Sequence, residues 1–262
     1  PVLSKRIIAC LDVRNGQVVK GINFEGLRNA GDPAELARRY NRELIDELVI
    51  LDVTATLESR RALADTIRAV ARELFIPLTV GGGIRTQDDA AAAVDAGADK
   101  VSLNTAAIKD PPLITALANR YGSQAVIVAI DAKRSGDHYA VYVRSGSSAA
   151  ERDAVEWARE AESRGAGEIL LTSIDKDGTK SGFDCEMTAA VSKAGGMGIL
   201  GVAAHSPKGL RAELEWIERE VGGKPYGVDL LLPSKFVGSD RQGGFDVAEL
   251  DARIPREHRE FL

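Results

Sequence analysis

Two aspartates, Asp12 and Asp131, each close a run of four or five apolar residues, in IIACLD and IVAID. A pair of carboxylates placed opposite one another across a site can work as general acid and general base. The plainer reading is that each caps the loop after it or pairs with a nearby cation, Lys5 or Lys133. Val80-Gly81-Gly82-Gly83 ends another apolar run, just before a helical pattern that begins near Thr86. Glycines there let backbone N–H groups approach an anion, and a helix N-terminus favours negative charge. Gly82 and Gly83 are therefore candidate phosphate ligands, with Asn104 and Thr105 at the next apolar run adding donors. Glycines also serve tight turns, so the triple glycine alone is weak. Thr172, Asp177 and Gly178 belong to a polar strand end and loop, Thr172–Thr179, that reads as a second substrate contact or as a simple Asp-Gly turn. Lys20 reads as a phosphate contact or a solvated lysine.

A second set of residues stands at the opposite ends of the same runs. Arg6, Glu47, Lys100 and Glu168 each open an apolar stretch. Two positive and two negative charges at one end of a barrel can close into a ring, either as a stabilising cluster or as a gate across a channel. His138, His205 and His258 are scattered, and no Cys, His or carboxylate spacing suggests zinc. A nucleophile elbow, a Walker loop and a dinucleotide fingerprint are missing too. Neither metal nor cofactor is expected.

These residues need a frame. Arg6–Val13, Glu47–Val53, Pro77–Gly82, Lys100–Thr105, Ala125–Asp131 and Glu168–Asp175 are short, continuous apolar runs, the mark of strands buried on both faces. Helical patterns at Pro33–Arg42, Arg60–Glu73, Thr86–Ala96, Pro111–Arg120 and Arg152–Arg164 alternate with most of them. Asn15–Asp32 reads as a long excursion, a hairpin loop after the first strand. IIACLD is echoed 119 positions later around Asp131, and DELVILDVT 121 positions later in GEILLTSID. A repeat of half a chain predicts duplication, four βα units per half, and so an α/β protein of the (βα)8 TIM-barrel type. In such a barrel the C-terminal strand ends carry the site, and Asp12 and Asp131 face each other across it. The repeat fails after about Val191: near residue 201 stands ILGVAAH rather than a second triple glycine. A strand at Met197–Ala204, a helix at Pro207–Val221 and a strand at Tyr226–Leu232 still bring the count to eight, with an irregular closing unit. Pro233–Leu262 is polar and Gly-rich, then weakly helical.

The chain has 262 residues, 44% hydrophobic and 28% charged, with a net charge of −5. That balance argues against broad nucleic-acid or anionic-membrane binding and leaves room for a local basic pocket. No apolar run reaches membrane-span length and no signal-peptide pattern opens the chain. Two isolated cysteines, Cys10 and Cys185, make no disulfide framework, so the cytoplasm is expected.

KRIIACLDVRNGQVVKGINFEGLRNAGDP, DELVILDVTAT, TVGGGIRT, ADKVSLNTAAI, VAIDAKR and GAGEILLTSIDKDGTKSGFD together resemble the cyclase subunits of imidazole glycerol phosphate synthases, from about Ser4 to Val191. The resemblance implies a barrel of histidine biosynthesis that takes ammonia from a partner glutaminase subunit bound at its N-terminal face, in a heterodimer. Ammonia then reacts with a bis-phosphorylated formimino ribulosyl nucleotide to give imidazole glycerol phosphate and aminoimidazole carboxamide ribotide. Asp12 and Asp131 match that family's catalytic carboxylates. Lys20, Gly83, Thr105, Thr172, Asp177 and Gly178 match substrate-contacting positions. Arg6, Glu47, Lys100 and Glu168 match its gate. Leu44 stands where the family usually has a helix-end glycine, and Ala149–Asp153 departs from its threonine–glycine loop. Past Ser192 the loops that hold the family's second phosphate are missing. AAVSKAGGMGILGVAAHSPKGLRAELEWIEREVGGKPYGVDLLLPSKFVG and IPREHREF are similar instead to the early region of nitronate monooxygenases, flavin barrels of the same architecture. The expected organisation is one barrel over 1–262: cyclase-like units one to six to residue 191, then units seven and eight plus a tail of different origin, as in a chimera. The expected activity is that cyclisation, weakened. The alternatives are a non-catalytic scaffold that still binds the glutaminase, and an FMN-dependent oxidoreductase.

Overall fold

Buried, nearly continuous apolar strands pair in parallel only when helices cover them, and the chain alternates the two. The computed structural model describes residues 6–22, 25–53, 59–144, 146–177, 179, 184–194, 198–202, 207–222 and 226–230. All of them fall in one unit of the chain, Pro1–Leu231.

Among the described residues eight strands carry the parallel frame: β1 (Ile7–Arg14), β4 (Glu47–Asp52), β5 (Leu78–Gly81), β6 (Lys100–Leu103), β7 (Val126–Ser135), β10 (Glu168–Ser173), β11 (Gly198–Val202) and β12 (Tyr226–Leu230). Their order across the sheet is β11-β12-β1-β4-β5-β6-β7, with β10 pairing on β7, every pair parallel. This is the strand order of a (βα)8 barrel. The eighth strand meets the first at Ile7↔Val228 and Ile8↔Asp229. Among the described residues no ladder joins β10 to β11, so the seam lies between the sixth and seventh strands.

The helices are α1 (Pro33–Arg42), α2 (Ser59–Ala71), α3 (Gln87–Ala96), α4 (Thr105–Lys109), α5 (Pro112–Tyr121), α6 (Ala154–Ser163), α7 (Cys185–Ala194) and α8 (Pro207–Val221). Their starts are written in the sequence. Asp32 caps α1 by accepting from the Ala34 and Glu35 N–H groups, and Thr86 and Asp89 form a capping box on α3. α6 begins at Ala154, two residues later than its pattern suggests, because Asp153 is its cap and the residues before it form a strand.

Two extra hairpins stand on this frame. β1 runs into antiparallel β2 (Gln17–Ile22) and β3 (Glu25–Gly31) before α1. β7 runs past Asp131 to Ser135 and into β8 (His138–Val143) and β9 (Ser148–Asp153) before α6. The first and fifth strands thus share one elaboration. The alternating pattern of β8, with Tyr139 and Val141 buried, is the signal for the second hairpin.

Side chains alternate across each strand, which gives the frame two apolar layers. Ile8, Val49, Ile127 and Leu170 pack together inside, against Cys10, Leu51 and Ala129. Leu48, Ile50, Val80, Val128 and Ile130 are fully buried with helix residues Ile67, Ile114, Leu117 and Trp157. Each such side chain contributes roughly 1.5–3 kcal/mol on burial.

Candidate active site

Alternation also fixes what stands at the two ends of the inner layer. On β6 the residues on one face are Lys100, Ser102 and, just past the strand, Asn104. On β10 they are Glu168, Leu170 and Thr172. On β4 they are Glu47, Val49 and Leu51. One face therefore leads from charged residues at the N-terminal strand ends, through a mostly apolar middle, to Asn104 and Thr172 at the C-terminal ends of β6 and β10.

At that end Asp131 lies on β7 beside Thr172 of β10, in direct register. The Asn104 amide donates to Asp131 Oδ2 at 2.9 Å. Asp131 is buried, and burial pushes its carboxyl up to about 6, while hydrogen bonds from Asn104 and Thr172 hold that rise back and the charges of Asp177 and Asp12 add to it. A carboxyl of this kind exchanges its proton near neutral pH. Asp12, half-buried within β1 two residues before its end, is near enough for its charge to be felt at Asp131. The structure therefore brings Asp12, Asp131, Asn104, Thr172 and Asp177 to one place.

Gly82 and Gly83 follow β5, with φ of +85° and +71°. A Cβ on Gly82 would stand 2.0 Å from the Asp52 carbonyl oxygen, whereas one on Gly83 would meet open space. Asn104 leads into α4, and the Thr105 hydroxyl accepts the Arg144 N–H at 3.2 Å. The loop after β10 is tied to the β7 hairpin, because the Arg134 N–H donates to Asp175 Oδ2 at 2.9 Å. Lys20 lies on β2, paired with Arg28 of β3. Gly178 lies outside the described residues.

At the N-terminal strand ends the four charges meet. Arg6 reaches Glu47 at 2.9 Å and Glu168 at 3.0 Å; Lys100 reaches the same two at 2.7 and 2.9 Å. Burial alone would raise the Glu168 carboxyl, but Arg6 and Lys100 hold it below the ordinary carboxylate range. Sequence reasoning missed a fifth member: the Thr79 hydroxyl, fully buried, donates to Glu47 Oε1 at 2.6 Å. Its signal was a hydroxyl in the middle of the apolar run PLTVGG, where a buried donor needs a partner. Between the two ends the buried Ser102 hydroxyl has no partner among the described residues.

No group of His, Cys, Asp or Glu among the described residues is arranged to hold a metal ion. No described helix is long and apolar enough to cross a membrane. Neither Cys10 nor Cys185 forms a disulfide.

A (βα)8-ordered frame with polar groups at one end of its inner face and an ion-paired ring at the other defines a barrel enzyme. The chain belongs to the family described as "Histidine biosynthesis protein", whose sequence pattern matches residues 6–201. That match ends inside β11, beyond Val191, where the quoted motifs stop. It is similar to an imidazole glycerol phosphate synthase subunit HisF from Acidobacterium capsulatum, 61% identical over 74% of this chain and 76% of the relative. The HisF of Myxococcus xanthus is 53% identical over 78% of this chain and 83% of its own length. That of Wolinella succinogenes is 56% identical over 73% and 76%.

Proposed function

We propose that this chain is the cyclase subunit of an imidazole glycerol phosphate synthase. It takes ammonia from a glutaminase subunit docked on the N-terminal face and cyclises the bis-phosphorylated formimino ribulosyl nucleotide. The observation that carries the reading is Asp131: a buried carboxyl poised at about 6, with Asp12 near it, on the barrel face that begins at the four-charge ring. The HisF relatives supply the reaction class.

The chemistry follows from proton needs. A ketose carbon that takes up ammonia and releases water needs a proton delivered to the departing oxygen and another removed from nitrogen. Asp131, whose carboxyl burial pushes up to about 6, is the acid, and half-buried Asp12 is the base. Asn104 and Thr172 hold Asp131 in place. Gly82 and Gly83 offer backbone N–H groups to one phosphate, and Lys20, Thr105, Asp177 and Gly178 supply the remaining substrate contacts. The ring of Arg6, Glu47, Lys100 and Glu168 gates the ammonia path, and the unpartnered Ser102 hydroxyl is a hydrogen-bond stop along it.

The cyclase-like units end near residue 191, and the seventh and eighth units are of separate origin, akin to a nitronate monooxygenase barrel. Missing second-phosphate loops lower substrate affinity by orders of magnitude, since each charge-assisted hydrogen bond contributes about 1.5–3 kcal/mol. The reaction belongs to the cytoplasm, where Cys10 and Cys185 stay reduced. The test is turnover with glutamine and a purified glutaminase subunit, and separately with ammonium salt, at rising substrate concentration. Product from both nitrogen sources, with a high substrate KM, supports the reading. No product from either in folded protein contradicts it.

A further inference from the structure

Helices α3 and α6 end in one backbone turn. In α3 the Gly97 N–H donates to Val94 O and the Ala98 N–H to Ala93 O; in α6 the Gly165 N–H donates to Glu162 O and the Ala166 N–H to Ala161 O. Both turning glycines have positive φ, +118° and +106°. Helix α1 ends in the same turn, with the Leu44 N–H to Asn41 O and the Ile45 N–H to Tyr40 O, but the residue with positive φ, +59°, is a leucine. A left-handed leucine is strained, and strain persists where something compensates it. Nothing among the described residues does so, because the Leu44 side chain is 82% exposed.

Leu44 has apolar company. Phe75 is 92% exposed and Ile7 is 38% exposed, and these three are the exposed large hydrophobics among the described residues. They are stitched together: Asn41, which accepts the Leu44 N–H, also accepts the Phe75 N–H at its side-chain oxygen at 3.2 Å. Asp46, two residues after Leu44, accepts the Ile7 N–H at 2.6 Å. Ile7 opens β1, and Leu44 and Phe75 each stand three residues before a strand, β4 and β5; Ile7 follows Arg6 of the ring, and Asp46, which holds it, precedes Glu47. A cluster of exposed apolar side chains beside a charged ring has the anatomy of an interface anchor with a polar neighbour.

We infer that Leu44 and Phe75 form an apolar anchor for the glutaminase subunit, and that the strain at Leu44 is kept for this contact. The inference rests on the docking face proposed above and adds to it which side chains supply the affinity in this chain. The occupant is the glutaminase rather than a second copy of this chain, because the anchor is continuous with the ring through which that partner's ammonia enters.

The experiment uses the full chain and a purified glutaminase subunit of imidazole glycerol phosphate synthase, with affinity measured by titration calorimetry. Leu44→Gly relieves the strain, so it raises Tm; it nevertheless weakens binding about tenfold, the scale of an anchor residue. Phe75→Ser weakens binding to a similar extent with no loss in Tm, which keeps folding apart from docking. Affinities of both variants within about twofold of the parent chain overturn the inference and leave the docking face standing. A parent chain that does not bind the glutaminase overturns both. A parent chain that sediments as a homodimer, dissociated by Leu44→Gly, assigns the patch to a second copy and overturns the inference.

Discussion

The Asn104 amide and the Asp131 carboxylate meet at 2.9 Å, one at the end of β6 and the other within β7, its neighbour in the sheet. The contact stabilises the ionised form of a carboxyl whose burial opposes ionisation, and the balance leaves it near 6. With Asp131 as the acid, kcat, corrected for the unprotonated fraction of ammonia, falls as pH rises through about 6. Asn104→Ala removes a contact that lowers this value, so the fall moves to higher pH. A pH–rate profile of the two proteins checks this.

The same carboxyl sets a stability effect of definite sign. Its folded value lies above the ordinary 3.8, so between those two pH values the folded state binds a proton that the unfolded state does not. Stability is therefore lost as pH rises from about 4 to about 6, by roughly 3 kcal/mol if the shift is fully expressed. Asp131→Asn abolishes turnover and also raises the urea midpoint at pH 7. The gain disappears near pH 4.

The ring at the other end behaves in the opposite way. The side chain of Glu47 is 2% exposed and bonds Thr79, Arg6 and Lys100. Glu47→Gln takes the charge from a buried carboxylate that pairs part-buried Lys100 and Arg6, and costs about 3 kcal/mol, as for a broken buried pair. Glu168, held below its ordinary range, contributes stability that is present above that range and lost as pH falls through its folded value. Urea denaturation at pH 7 and at pH 3 measures both.

Much of this was legible in the sequence. Asp12 and Asp131 declared themselves because each ends a run too apolar for a surface strand, and the ring because a charge opens each of four such runs. The hairpin β8–β9 was not legible by that test, because a strand covered on one face alternates and its outer residues look like loop. The role of Asn104 was hidden too: its reach to Asp131 depends on the registry between β6 and β7, which no single segment encodes.

The two glycines after β5, proposed as phosphate ligands, give a graded prediction. Gly82→Ala drives a methyl to 2.0 Å from the Asp52 carbonyl and disrupts the turn, so the protein loses several kcal/mol of stability or fails to fold. Gly83→Ala meets open space and incurs only the left-handed conformational cost, about 1 kcal/mol. Thermal melts rank them, and phosphate-analogue affinity for Gly83→Ala then reports the anion contact by itself.

The most direct test of the account is ammonia-dependent cyclisation of the bis-phosphorylated substrate by the purified chain, beside Asp131→Asn at equal concentration. Turnover in the parent chain that vanishes in the variant, with the variant still folded, is the predicted result. Equal turnover in the two proteins, or none in a well-folded parent chain, would contradict it.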